Sequence, residues 1–210
     1  DLKRIKFFAG HSLGEYSALV SSDSLNFNDA LYLLHERGKA MQEAVPVGKG
    51  SMIAVLGMKI DDIKNLLNLQ KKENGVCEIA NDNAEGQIII SGNKEKVDSF
   101  QLLLKDKKIK TIPLKVSAPF HCSLMKPAAE LMKGKINSIK FNKPSIQIVT
   151  NVTAEPEINS ENIKSLLIEQ ISSTVKWRES IINMHKAGVK NFIEIGPGKA
   201  LTGMVKRTVK

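Results

Sequence analysis

"IKFFAGHSLGEYSALVSS", Ile5 to Ser22, is where the fold of this chain declares itself. The apolar run "IKFFAG" is short and ends in glycine, as a buried strand entering a tight turn does. "LGEYSALVSS" then reads as a helix. Between them "GHSLGE", Gly10 to Glu15, holds a Gly-x-Ser-x-Gly core. That core is the pattern of a nucleophile elbow, a strained strand-to-helix turn that exposes a serine hydroxyl. A strand feeding straight into a helix favours an α/β layer architecture. On this reading Ser12 sits at a helix N-terminus, where the dipole favours developing negative charge, and the Leu13 N–H is one half of an oxyanion hole. The alternative is a glycine-rich turn with an incidental serine.

Working outward, "FNDALYLLHERGKAMQEAV" predicts a second helix, starting near Asn28 or Asp29 as cap and stopping before Pro46. The texture changes at Lys49. "SMIAVLGM" reads as a strand and "DDIKNLLNLQKKENG" as a helix closed by glycine. "VCEIAND" and "GQIIISG" are strands around a polar turn, "NKEKVDSFQLLLKDKK" is a helix, and "TIPLKVSA" a final strand. The order β-α-β-β-α-β is the ferredoxin-like signature. Residues 49–116 are therefore expected to form a ferredoxin-like subdomain inserted into a discontinuous α/β body of residues 1–48 and 117–210, a hydrolase-like body with a parallel sheet. In its second part "CSLMKPAAELMKGKINSI" is helical, "SIQIVTN" a strand, "SENIKSLLIEQISS" and "KWRESIINMHKAG" helices, "NFIEIG" a strand, and "PGKALTGMVKRTV" begins a last helix.

A serine nucleophile needs a base. The chain has four histidines. His11, inside the elbow, is expected to project away from the hydroxyl; His35 and His185 lie on helices and read as satisfied or solvated. His121, in "SAPFHCSLMKP", follows a strand and a proline and precedes a helix, which sets it on a loop at a strand end, where α/β folds present functional groups. No acidic residue has the context of a third, orienting partner. Asp82, in a turn, and Glu194, in a strand, are each open to a structural reading, and a backbone or amide carbonyl orients an imidazole equally well. Arg37 interrupts an apolar stripe of Ala30, Leu34, Met41 and Ala44. A buried guanidinium is costly unless paired. Either it snorkels past the stripe or meets an internal carboxylate, or its partner is a substrate carboxylate held in the fork.

The net charge of +9 favours acidic partners without choosing among them. The lysines are scattered and only 5% of residues are aromatic, so no stacking platform for nucleic acid is expected. No apolar run approaches the ~20 residues of a membrane span, and "DLKRIKFFAGHS" has no signal-peptide pattern. Cys77 and Cys122 make no disulfide framework and read as reduced thiols of a cytoplasmic protein.

"GHSLGEYSALV", "RGKAMQEAVPVGKGSM", "SAPFHCSLMKPAAELM" and "EIGPGKALTGMVKR" together resemble the malonyl-CoA:acyl-carrier-protein transacylases of type II fatty acid synthesis, in order and nearly end to end. That family possesses the inserted ferredoxin-like subdomain. The resemblance implies malonyl transfer from malonyl-CoA to the phosphopantetheine thiol of acyl carrier protein, with no cofactor, and a monomeric protein. It casts Ser12 as the residue that accepts malonate, His121 as base and acid, and Arg37 as the clamp on the malonyl carboxylate. The Gln170 main-chain carbonyl would hold the histidine and Leu13 would supply an oxyanion N–H. Asn83 would lie near the thioester path, and Phe120 would favour malonyl over methyl-branched units. Family members carry a first strand and a Gly-Gln-Gly-Ser-Gln loop upstream of the elbow, which supplies the second oxyanion N–H. This chain begins eleven residues before Ser12, resembling the family without roughly its first quarter and clipped at the C-terminus. Loss of one such donor costs ~10²–10³ in rate, so this stretch is expected to transfer more slowly than an N-terminally extended version. The rivals are a serine esterase or thioesterase of α/β-hydrolase type, which would need an acid between serine and histidine in chain order, and an inactive fragment that binds carrier protein. A polyketide-type acyltransferase domain is a closer variant of the same chemistry.

Overall fold

The computed structural model describes residues 4–70 and 74–209. Strand β1 (Phe8–Ala9) ends as soon as the elbow begins. It pairs in parallel with β6 (Ile148–Val149), which pairs antiparallel with β7 (Pro156–Glu157). The strand expected over "SIQIVTN" is thus confined to two residues. Helix α1 (Gly14–Ser21) leaves the elbow directly. Helix α2 (Phe27–Glu43) is capped by Asn26, two or three residues before the expected cap, because extended Asn26 turns its side-chain oxygen onto the Asn28 N–H, 2.9 Å away. A short 3₁₀ turn (Ser123–Met125) leads into α5 (Lys126–Ser138), and α6 (Ser160–Gln170) is capped by Asn159. These helices close on Tyr16, Leu19, Leu33, Met132, Ile136 and Leu167, all fully buried. Each of the leucine, isoleucine and methionine side chains contributes about 1.5–3 kcal/mol by leaving water.

The second sheet is built from β2 (Gly50–Leu56), β3 (Cys77–Ala84), β4 (Gln87–Asn93) and β5 (Lys110–Pro113) in the order β3-β4-β2-β5, every neighbouring pair antiparallel. Helix α3 (Ile60–Gln70) runs between β2 and β3, and α4 (Lys94–Asp106) between β4 and β5. Residues 71–73 of the helix expected over "DDIKNLLNLQKKENG" lie outside the described residues. The period of two decides what each face meets. Ile53 and Val55 of β2 pack with Ile63, Val97, Phe100 and Leu104 of α3 and α4. Met52 and Ala54 point the other way, with Ala80 and Ile89, onto Phe120.

Val175 joins the two sheets' surroundings. It bridges in parallel to Asn81, donates its N–H to the Ala80 carbonyl at 2.9 Å and accepts the Asp82 N–H at 2.9 Å. Helices α7 (Trp177–Lys186) and α8 (Ala200–Thr208) follow; Val175, Trp177 and Ile181 pack with Leu201, Met204 and Val205. The strand expected at "NFIEIG" does not form: among the described residues no ladder partner lies beside it, and Ile193 and Ile195 are 85% and 93% exposed. No helix of the described residues is long and apolar enough to cross a membrane.

Candidate active site

The elbow is strained where it has to be. Ser12 has φ +53, a left-handed conformation that costs a non-glycine residue roughly 1–3 kcal/mol. Gly10 makes the turn sterically feasible. A Cβ there would lie 1.9 Å from the Gly14 carbonyl oxygen, whereas one on Gly14 would meet nothing within 4 Å. The turn is stitched by Asn151, just past β6, whose side-chain oxygen accepts the Ser12 N–H at 2.6 Å and whose amide donates to the Gly10 carbonyl at 2.8 Å. Gly14, Glu15 and Tyr16 return their N–H groups to His11, Ser12 and Leu13, while the Leu13 N–H donates to nothing among the described residues. It remains a free donor at the start of α1.

His121 also has positive φ, +57. The segment beyond it is held by Glu78, whose carboxylate accepts the Ser123 N–H and hydroxyl at 2.8 and 2.7 Å. His121 Nε2 lies 2.7 Å from Ser12 Oγ, and its Nδ1 lies 2.9 Å from the Gln170 carbonyl. The carbonyl can only accept, so Nδ1 carries the proton and Nε2 is left to take the serine's. Gln170 is the last residue of α6, and a helix's final carbonyls have no partner within it. Burial is the main reason the imidazole is held down at about 3, with the Arg37 charge adding to it; the Gln170 carbonyl pulls the other way. His121 is neutral throughout the physiological range. A cleft of about 380 Å³ opens beside it, lined in part by Val152, Ser172, Ser173, Thr174 and Lys176.

Arg37, on the buried face of α2, is only 6% exposed, so it does not snorkel. Its Nη2 donates to Ser12 Oγ at 2.9 Å and to the Gln170 side-chain oxygen at 3.0 Å. Its Nε is buried without a partner. Among the described residues no carboxylate pairs with the guanidinium. The Gln170 side chain completes a network, donating to the Ser12 carbonyl at 3.0 Å and to Glu15 Oε2 at 2.8 Å.

Ser12, His121, Arg37 and Gln170 therefore meet at one point. Asn83 stands apart from them: it accepts from His11 Nε2 at 2.7 Å, and His11 also packs edge-on against Trp177. The His11 side chain thus turns from the serine. Phe120 is half-buried between the helical core and the sheet. Two residues of the network escape sequence reasoning. Glu15 is an acidic residue on a helix whose neighbours are buried apolar side chains, which was its available signal. Asn151 follows a strand and carried none.

Residues 4–210 match the family model described as acyl transferase domain. The chain is 45% identical over 202 residues to malonyl CoA-acyl carrier protein transacylase of Bacillus subtilis, covering 96% of this chain and 64% of that protein. It is 43% identical to the Escherichia coli protein of the same name, covering 96% and 65%. Among solved structures, the malonyl CoA-acyl carrier protein transacylase of Coxiella burnetii superposes with TM-score 0.95 at 37% identity, covering 98% of this chain and 65% of that one. A malonyl-transacylase in complex with its type II PKS acyl-carrier protein superposes with TM-score 0.92 at 40% identity, covering 96% and 65%. The chain thus spans about two thirds of the length of these relatives. An elbow serine with a neutral histidine on its hydroxyl is the equipment of acyl transfer, and with the match running over 4–210 the chain belongs to the acyl transferase domain family.

Proposed function

We propose that the chain carries the malonyl-transfer site of an acyl carrier protein S-malonyltransferase, with Ser12 as the nucleophile. The observation that carries this reading is the buried Arg37 guanidinium 2.9 Å from Ser12 Oγ, in hydrogen-bond contact with an amide and a hydroxyl rather than a carboxylate. An ester built on that oxygen brings the far carboxylate of a malonyl group within the fork's reach. Neutral His121 takes the Ser12 proton as the hydroxyl attacks the malonyl-CoA thioester; the imidazolium that forms faces the Gln170 carbonyl, and its proton goes to the departing thiolate. The carrier protein's phosphopantetheine thiol then attacks the ester, again passing its proton through His121. The Leu13 N–H stabilises the oxyanion. An acyl group lacking the carboxylate leaves the guanidinium unpaired, which is the source of selectivity. The +9 charge suits the phosphates of coenzyme A and an acidic carrier protein.

The remaining assignments belong to the same reading. Phe120 limits branching at the acyl carbon, and Asn83 borders the thioester path through His11. Residues 49–116 form a ferredoxin-like subdomain, supported by the strand order β3-β4-β2-β5. Residues 1–48 and 117–210 form the hydrolase-like body around the parallel β1–β6 pair.

The test is the acyl-enzyme. Incubation with malonyl-CoA is expected to add one malonyl group to the chain by mass, and Ser12→Ala to abolish the adduct. An adduct that persists on the alanine variant refutes the assignment. Rapid hydrolysis of the adduct in the presence of carrier protein would point to an esterase instead.

A further inference from the structure

Glu15 is a buried carboxylate that the proposed mechanism does not use. Glu15 sits in the first turn of α1, 1% exposed, among Tyr16, Ala18 and Leu19. Burying a carboxylate is costly, and an apolar residue would serve the helix better. Its Oε2 accepts two hydrogen bonds, from Gln170 Nε2 at 2.8 Å and from the Asn151 N–H at 3.1 Å; its Oε1 has no partner. The carboxylate makes no direct ion pair with Arg37. The Gln170 amide stands between them, accepting from the guanidinium through its oxygen and donating to the carboxylate through its nitrogen.

A side-chain amide fits its pocket either way round, and only its partners decide the orientation. Reversed, the Gln170 NH2 would face the guanidinium's donors, while its oxygen would face Glu15 and the Ser12 carbonyl, both acceptors. Glu15 supplies the charged partner, the stronger of the two anchors. We infer that Glu15 is a positioning residue for acid selectivity: it fixes the Gln170 amide so that its oxygen holds the Arg37 guanidinium over Ser12. The spacer has a second consequence. A carboxylate bonded directly to Arg37 would occupy the fork, whereas one acting through an amide offsets the charge and leaves the fork for substrate. Burial raises the Glu15 carboxyl to about 7, with Gln170, the Asn151 N–H and the Arg37 charge all acting to lower it, as expected of a group held for its contacts.

This inference rests on the reading of Arg37 as the malonyl clamp, and one assay separates the two. Acylation of Ser12 is followed with malonyl-CoA and with acetyl-CoA in the unmodified chain, Arg37→Ala, Glu15→Leu, Glu15→Gln and the double variant Arg37→Ala/Glu15→Leu. Glu15→Leu is expected to lower the malonyl-to-acetyl ratio at least tenfold, through a higher KM for malonyl-CoA, with acetyl transfer falling far less than malonyl transfer. Glu15→Gln is expected to restore most of the ratio, because two donors converge where Oε2 lies and hold the new amide's oxygen there. The double variant is expected to lose no more selectivity than Arg37→Ala alone. A ratio that falls in Arg37→Ala but not in Glu15→Leu overturns the inference, as does a Glu15→Leu variant that loses both substrates in proportion. A ratio unmoved by Arg37→Ala overturns the clamp reading itself. If Glu15→Leu does not fold, Glu15→Asp, one methylene too short to reach Gln170, is read in the same way, and an unchanged ratio there overturns the inference.

Discussion

Gly10 and Gly14 look equivalent in a Gly-x-Ser-x-Gly motif, yet the turn needs only one of them for steric reasons. A methyl group on Gly10 would run into the Gly14 carbonyl at 1.9 Å, and one on Gly14 would point into open space. Gly10→Ala is expected to destabilise the fold by about 1–3 kcal/mol, as overpacking does, and to displace Ser12 from His121. Gly14→Ala is expected to stay within roughly 0.5 kcal/mol of the unmodified chain. Urea melts of the two variants check both, and equal losses would contradict the steric account. Ser12 and His121 were legible in the sequence because each is announced by its own neighbours: glycines and a following helix for one, Pro119 and a following helix for the other. Glu15 and Asn151 were not. Their importance lies in what they touch, 155 residues away for the Glu15–Gln170 bond and 139 for the Asn151–Ser12 bond.

Helix α2 was readable as an amphipathic element with a cation in its apolar stripe, and α6 as a helix, expected to run to Ser173, three residues past its observed end at Gln170. What no periodicity discloses is that the stripe of one and the C-terminus of the other converge on the elbow. The same holds for the seam between β3 and α7. Asp82, read as a turn residue, lies in β3 and is bound on both oxygens by Arg178: Nε at 3.0 Å from each and Nη2 at 2.8 Å from Oδ2. The Asp82 side chain is 3% exposed, so Arg178→Ala would strand a buried carboxylate. That change is expected to cost about 3 kcal/mol, measured by denaturant titration. A loss below about 1 kcal/mol would mean that the pair is solvated and does not hold the seam. "NFIEIG" failed as a strand for a related reason: alternation gives a segment the capacity for a ladder, and forming one takes a partner strand.

Across the whole molecule, acid stability follows from which site groups burial biases towards the neutral form. Burial lowers His121 to about 3 and also lowers His11, so their contribution to stability is present above about 6.5 and is lost as the pH falls. Glu15, raised to about 7, acts in the opposite sense: its contribution is present below about 4.5 and is lost as the pH rises towards 7. Between pH 6.5 and 4.5 the histidines lose stability on acidification, and Glu15 offsets part of that loss. Glu15→Gln is expected to steepen that loss, checked by thermal melts at pH 7, 5.5 and 4.5; a shallower dependence in the variant would contradict the balance. The main helices, the elbow, the βαββαβ order and the oddity of Arg37 were settled by residues within a turn or two of each other, because propensity, capping and periodicity are short-range, whereas the strands over "SIQIVTN" and "NFIEIG" were not. The partners of the buried charges were decided only by the fold. Ser12 meets His121 across 109 residues of chain, and Arg37 meets Gln170 across 133. Which polar groups satisfy one another inside a protein depends on how its elements pack, and packing is a property of the assembled chain.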